Sequence, residues 1–347
     1  MWSLKLFIAL FLVSMTGHAA DCGPVTYSAA RLPKGGQLWF LGSRYVYEFN
    51  GGLSTSIATI NPGYRFAQAG ERLITAWSAS PTRTLLITRQ KRGFAAYLWE
   101  SSGPTPTMTA LVARSLNAIE GQKTIASPLV DAHVDATQTY LLTNFHVTTL
   151  STPALLAGSF TATTEKIPQC DSVSESCWRG VSLLPMTDGL GVARMRRLTG
   201  NTMNLDLVRP YGASPVDWSI RGGLSLSKAT YVNALKSHSA QTQDSITPLA
   251  ISTNKSTHIL LARQPAQTLA GLSDYPVAAA LLPSTNFSAA NGALSLSEQG
   301  TFFFKEGVMT CRAFETASSL VVKQNTNTTE IAGVNASGNL MTVEVGN

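Results

Sequence analysis

Asp131, His133 and Asp135 alternate in the string DAHVD, which sets two carboxylates and an imidazole within five residues. In an extended strand alternate side chains share a face, so the three could converge on one side. Two carboxylates and an imidazole are a donor set for a divalent cation. They also suit acid-base work, because a carboxylate beside His favours its charged form. The residues around them favour a plainer reading. Asp135 opens the turn ahead of the β-prone run Tyr140 to Thr143, and Asp131 and His133 are edge residues of the preceding strand.

Other signatures of reaction chemistry are absent from the sequence: GxSxG, HExxH, the phosphate-binding P-loop and CxxC do not occur. Two Ser-x-x-Lys strings, Ser225 to Lys228 and Ser252 to Lys255, lack the companion motifs that would make a serine nucleophile of either. No reaction is named on this basis, and no cofactor or metal is expected.

Charge supplies a second kind of chemistry. The chain carries a formal charge of +6, and two clusters concentrate it: Arg89, Lys91 and Arg92, then Arg194, Arg196 and Arg197. Arg194 and Arg196 have strand spacing and are expected to project from one face. Both clusters read as solvated hairpin surface, able to draw the protein toward an acidic protein, glycan or surface. Nucleic acid is not an expected partner, since no basic-aromatic recognition module accompanies them.

The first 19 residues set Lys5 before an apolar run from Leu6 to Val13, then small residues at Gly17 and Ala19. That is the order of a cleavable secretory leader, cut after Ala19, and it predicts export to the periplasm or the cell exterior. The run is too short to cross a bilayer, and no later stretch is apolar enough to do so. Residues 20–347 are expected to form one domain. Charged residues are 13 % and hydrophobic ones 44 % of the chain, which suits a buried core and not disorder.

Export implies an oxidising compartment, where Cys22, Cys170, Cys177 and Cys311 allow three pairings. Proximity favours Cys170 with Cys177, which leaves Cys22 for Cys311. A bond between the two ends of the chain makes sense in a circular fold. A cysteine metal site would need closer spacing or histidine partners.

The positioning elements are strands. Trp77 to Glu100, WSASPTRTLLITRQKRGFAAYLWE, holds a Ser-Pro turn, a β-branched run, a basic turn ending in Gly93 and an aromatic run. Part of it recurs, because STNKSTHILLARQ from Ser252 lies on SASPTRTLLITRQ from Ser78 without a gap. Further units centre on Trp39, Leu141, Val192, Phe303 and Met341. With Leu86 and Leu260 they make seven, about 50 residues apart on average but spaced unevenly, from 38 to 68.

The segment from Trp77 resembles one blade of the WD40-like and TolB-type propellers, in which a Ser-Pro turn precedes an apolar strand and an aromatic strand follows. The Gly-His and Trp-Asp marks of true WD40 repeats are missing, so the resemblance implies architecture alone. The expected fold is all-β, a β-propeller of seven blades, with six or eight as variants and tandem β-sandwiches as the runner-up. Trp39, Tyr45, Tyr47, Trp77, Tyr97, Trp99, Trp178 and Trp218 then read as packing between blades rather than a ligand-stacking surface. The function expected of such a scaffold is binding of a protein or glycan partner. A hydrolase built on Asp131, His133 and Asp135, or a structural part of a surface or envelope assembly, are the alternatives.

Overall fold

The computed structural model describes residues 20–31, 37–41, 44–49, 52–55, 71–100, 102, 107–116, 128–167, 179–186, 189–197, 202–211, 220–227, 229–234, 249–253, 256–260, 267–269, 276–281, 292–296, 300–305, 308–315, 320–335, 337 and 339–346, some strands by their backbone only. The first strand is β1 (Thr26–Arg31). Sheet I is β2 (Gln37–Leu41), β3 (Arg44–Phe49) and β4 (Gly52–Thr55). Sheet II is β5 (Arg72–Ser80), β6 (Arg83–Gln90), β7 (Gly93–Glu100) and β8 (Thr107–Ser115). Sheet III is β9 (Asp131–Val134), β10 (Gln138–Leu142), β11 (His146–Ser151) and β12 (Ala162–Lys166), with a short helix α1 (Thr152–Leu156) before its last strand.

Sheet IV is β13 (Arg179–Met186), β14 (Gly189–Arg197), β15 (Thr202–Tyr211) and β16 (Ile220–Ser227). Sheet V is β17 (Ala229–Ala234), β18 (Leu249–Thr253), β19 (Ser256–Leu260) and β20 (Gln267–Leu269). Sheet VI is β21 (Pro276–Leu281), β22 (Gly292–Leu296), β23 (Gly300–Lys305) and β24 (Val308–Arg312). Sheet VII is β25 (Leu320–Gln324), β26 (Thr328–Val334) and β27 (Asn339–Gly346), and its fourth strand is β1. The described residues thus hold seven antiparallel meanders, and the seven apolar residues picked out by the repeat fall one in each.

Why the sheets stack is visible in sheet II. Leu85, Leu86 and Ile87 are consecutive and all fully buried, so β6 is covered on both faces. Leu85, Ile87, Phe94 and Ala96 pack with Leu129, Ala132, Leu141 and Leu150 of sheet III, whereas Leu86, Tyr97 and Trp99 form a cluster on the opposite face. Sheet III meets sheet IV the same way, through Leu142, Val147 and Ile167 against Leu183, Leu190 and Val192. A sheet that is apolar on both faces needs a neighbour on each side. A closed ring gives one to every sheet. Contacts pass from β2 to β5, β9, β13 and β17 in turn, from sheet V through β18 to β21, then to β25 and back to β2. The first strands therefore line the axis of a β-propeller.

The ring closes with β1, which pairs antiparallel with β27, Tyr27 opposite Met341. The end-to-end closure that a circular fold requires is made by Thr26–Arg31, not by the next segments along the chain, 38–41 and 45–49. Those belong to β2 and β3, which pair with each other. A hairpin partner two residues away outcompetes a distant one, because closing a short loop costs less entropy. Upstream of β1, Asp21 bridges in parallel to Arg312. The Cys22 N–H donates to the Arg312 carbonyl at 2.9 Å and the Arg312 N–H to the Ala20 carbonyl at 2.8 Å. Cys22 is bonded to Cys311, as the pairing argument expects, across a sequence separation of 289. Residues 20–31 are therefore fastened to sheets VI and VII at once. Cys170, Cys177 and residues 1–19 lie outside the described residues.

Because the crosslink closes so long a loop, the Cys22→Ser/Cys311→Ser variant should lose about 2–5 kcal/mol of stability. Denaturant unfolding of the oxidised protein and the variant measures this, and an unreduced peptide map should show the Cys22–Cys311 peptide.

Candidate functional site

Because the sheets are antiparallel, the first strands end and the second strands begin at one end of the ring. The second strands end, and the first strands begin, at the other, called here the connection end. The residues expected to do chemistry divide between these ends.

Asp131 begins β9 at the connection end and is 5 % exposed. Its carboxylate accepts from the Ser182 hydroxyl at 2.9 Å and the Leu183 N–H at 2.7 Å, both on β13. It also accepts from the Ala132 N–H at 2.9 Å. The side chain is a strap between the first strands of sheets III and IV. His133, two residues on, is half-buried and stacks against Tyr140, its direct partner on β10, with centroids 6.4 Å apart. Asp135 lies past the end of β9, in the turn at the opposite end of the ring. There its Oδ1 accepts from the Thr137 N–H at 2.7 Å, the Thr137 hydroxyl at 2.8 Å and the Gln138 N–H at 2.8 Å.

The plain reading of DAHVD thus holds for Asp135, the turn opener. For Asp131 it is corrected: this residue is no solvated edge group but a buried anchor, because β9 is an inner strand with a sheet packed beside it. The three side chains do not form one donor set, and no group of three metal-ligating side chains occurs among the described residues. Burial works to raise the Asp135 carboxyl, but the three hydrogen bonds and the neighbouring His133 outweigh it and hold the group below its ordinary 3.8. The Tyr140 hydroxyl is raised, by burial first and by the negative charge of Asp135 second.

Sequence reasoning passed over a second buried carboxylate. Glu71 directly precedes β5, is 1 % exposed, and occupies the position in sheet II that Asp131 holds in sheet III. It accepts from the Thr88 hydroxyl, from Gln90 Nε2 at 3.3 Å and from the Tyr97 hydroxyl at 3.0 Å. A lone Glu beside an apolar run gives no warning of this, because its donors lie 17 to 26 residues away. Each buried carboxylate is thereby matched by polar hydrogens, without which its desolvation would be costly.

The first basic cluster spans the end of β6 and the turn after it. Lys91 and Arg92 are exposed in the two-residue turn between β6 and β7, and Arg89 beside them is half-buried. Gly93 fixes this turn, since a Cβ there would lie 2.0 Å from the Arg114 carbonyl oxygen. The second cluster departs from expectation at Arg194, which is only 4 % exposed. On β14, in the middle of sheet IV, its register partners are Gly180 and Asp206. Arg196 and Arg197 end the same strand. Tyr97 and Trp99 are buried in an apolar cluster on one face of sheet II, and Trp77 packs against the core between sheets II and III; Trp178 and Trp218, and the side chains of Trp39, Tyr45 and Tyr47, lie outside what is described.

No family model matches the chain, and no curated protein does. Solved structures do match. One is BBS1N in its complex with ARL6DN, soaked with lead, at 9 % identity over 95 % of this chain and 97 % of that one, with a TM-score of 0.53. Another is a chain of the mitotic checkpoint complex, at 9 % identity over the full length of both, with a TM-score of 0.55. Both neighbours are β-propellers, and at this identity the likeness is one of fold.

Two outcomes follow for the polar groups. Asp131→Ala should cost about 1–3 kcal/mol, because the Leu183 N–H is left buried without its acceptor; the shift in denaturation midpoint measures it. Asp135 contributes stability that is complete above the ordinary carboxylate value and is lost as pH falls through its lowered folded value. Asp135→Asn, which keeps an acceptor but does not titrate, should flatten acid unfolding in that window, read by circular dichroism from pH 5 downward.

Proposed function

We propose that this chain is an exported β-propeller that works as a binding module for a protein partner. One observation carries the reading. The buried carboxylates Glu71, just ahead of β5, and Asp131, at the start of β9, are taken up in internal hydrogen bonds, Glu71 to β6 and β7 of its own sheet and Asp131 to β13 of the next, whereas exposed charge such as Lys91 and Arg92 stands on a short turn. The interior supplies the scaffold and the turns supply the contact chemistry, a division suited to recognition.

Three further features support it. The matched BBS1N was solved in a complex with ARL6DN, and the other match belongs to a multi-protein complex. The disulfide between Cys22 and Cys311 suits an oxidising compartment. Ala20, the residue that follows the expected leader cut, takes part in fastening the ring through its carbonyl, which accepts from the Arg312 N–H. On this reading residues 1–19 are the leader, residues 20–347 form one domain, and each sheet is one blade. A hydrolase using Asp131, His133 and Asp135 is less well supported, because Asp131 and Asp135 are already engaged and sit at opposite ends of the ring.

Expression with the native leader tests export: the mature chain should begin at Ala20 outside the cytosol, and a product retaining residues 1–19 would remove that part. Photo-crosslinking from Pro81, Lys91 and Asn327, all exposed turn positions, tests binding. A discrete protein adduct from one end of the ring is expected. Absence of adducts at every position, together with turnover of chromogenic ester, phosphate or glycoside substrates, would reverse the reading in favour of an enzyme.

A further inference from the structure

Topology brings the two basic clusters to the same end of the molecule. Arg89, Lys91 and Arg92 belong to the second-to-third turn of sheet II, and Arg196 and Arg197 end β14 ahead of the equivalent turn of sheet IV. The ends of β6 and β14 therefore share the connection end, with only sheet III between them. Other cations gather there. Arg72 starts β5 directly opposite Arg89 and is exposed, Lys166 ends β12 and is exposed, and Arg179 starts β13.

The acidic groups at this end of sheets II and III are placed differently. Glu71 and Asp131 are buried and hydrogen-bonded, and Glu165 is half-buried. At the opposite end of the same sheets the balance is reversed: Arg83 is ion-paired to Glu100 at 3.1 Å, and Asp135 adds a carboxylate. Exposed positive charge in sheets II and III is thus concentrated at one end, and the strand-end positions of Arg179, Arg196 and Arg197 continue it along the backbone of sheet IV.

We infer that the connection end of sheets II to IV is a docking surface for an acidic segment of a protein partner, a proposal that rests on the protein-binding reading above. The cations stand on separate strand ends across three neighbouring sheets, so they match a series of carboxylates along an extended chain better than one small anion. Six of the eight are arginines, whose planar forks hold carboxylates with two parallel hydrogen bonds. Such rim charges steer encounter and are weakened by salt. The turn that carries Lys91 and Arg92 is held by two donors to the Arg92 carbonyl, the Leu116 N–H at 3.2 Å and the Ser115 hydroxyl at 3.3 Å. Its side chains are presented without a loop to order on binding.

The test uses the mature, oxidised protein and a fluorescent 16-residue Glu-rich peptide, with its Gln counterpart and a heparin fragment as comparisons. The Glu peptide should bind at low salt, the Gln peptide should not, and affinity should fall steeply between about 0.05 and 0.3 M salt. Lys91→Glu/Arg92→Glu should weaken binding at least about five-fold. Arg83→Gln, at the opposite end, should leave it unchanged. Both variants alter exposed side chains and should melt within about 2 °C of the wild type. Equal binding of the Glu and Gln peptides, or full affinity in Lys91→Glu/Arg92→Glu, would overturn the proposal. Retention of the heparin fragment alone would also overturn it, by assigning the surface to a glycan. A partner that crosslinks from Pro81 but not from Lys91 would leave the binding function standing and remove only this surface.

Discussion

Everything in this molecule depends on a sheet that is apolar on both faces. Leu85, Leu86 and Ile87 in succession leave no side of β6 that water could cover without a cost of roughly 1.5–3 kcal/mol for each exposed side chain. Stacking sheets in a row would satisfy the inner ones and abandon the two at the ends. Bending the row into a ring satisfies all of them, provided that the last sheet finds the first. That provision is met by the pairing of β1 with β27 and by the parallel bridge at Asp21. The covalent bond from Cys22 to Cys311 makes the same seam permanent.

Once the ring is closed, polar groups on its inner strands have few ways to exist. Asp131 survives there by joining β9 to β13, and Glu71 by gathering three donors from β6 and β7. Both are committed to hydrogen bonds within the protein. Groups at the turns are under no such demand, which is why the recognisable surface chemistry sits at the ends of the ring. Function in this architecture follows from where the hydrogen bonds are already committed.

Some elements could be read directly from the residues. The hairpin from Arg83 to Glu100 announces itself by β-branched and aromatic runs around a basic two-residue turn, and Asp135 by its place before a β-prone run. Other readings landed near their mark. STNKSTHILLARQ and SASPTRTLLITRQ are both hairpins, but the first spans β18 and β19 and the second β5 and β6. One is the second-to-third hairpin of its sheet and the other the first-to-second. Trp39 lies in a first strand, Leu86, Leu141 and Val192 in second strands, and Leu260, Phe303 and Met341 in third strands, which accounts for the uneven spacing of the units.

By itself, then, the chain determines that it is built of short strands, that it has a core to bury, where several turns fall, and that its end cysteines are apt to meet. These follow from local preference, or from elimination among four cysteines, and need no knowledge of neighbours. Only the tertiary structure decided that Thr26–Arg31 closes the ring, that Asp131 and Arg194 are buried while Lys91 is exposed, and that two basic clusters some hundred residues apart share one end. Burial and proximity are properties of a closed ring as a whole. A residue's own type cannot report which sheet will come to lie beside it.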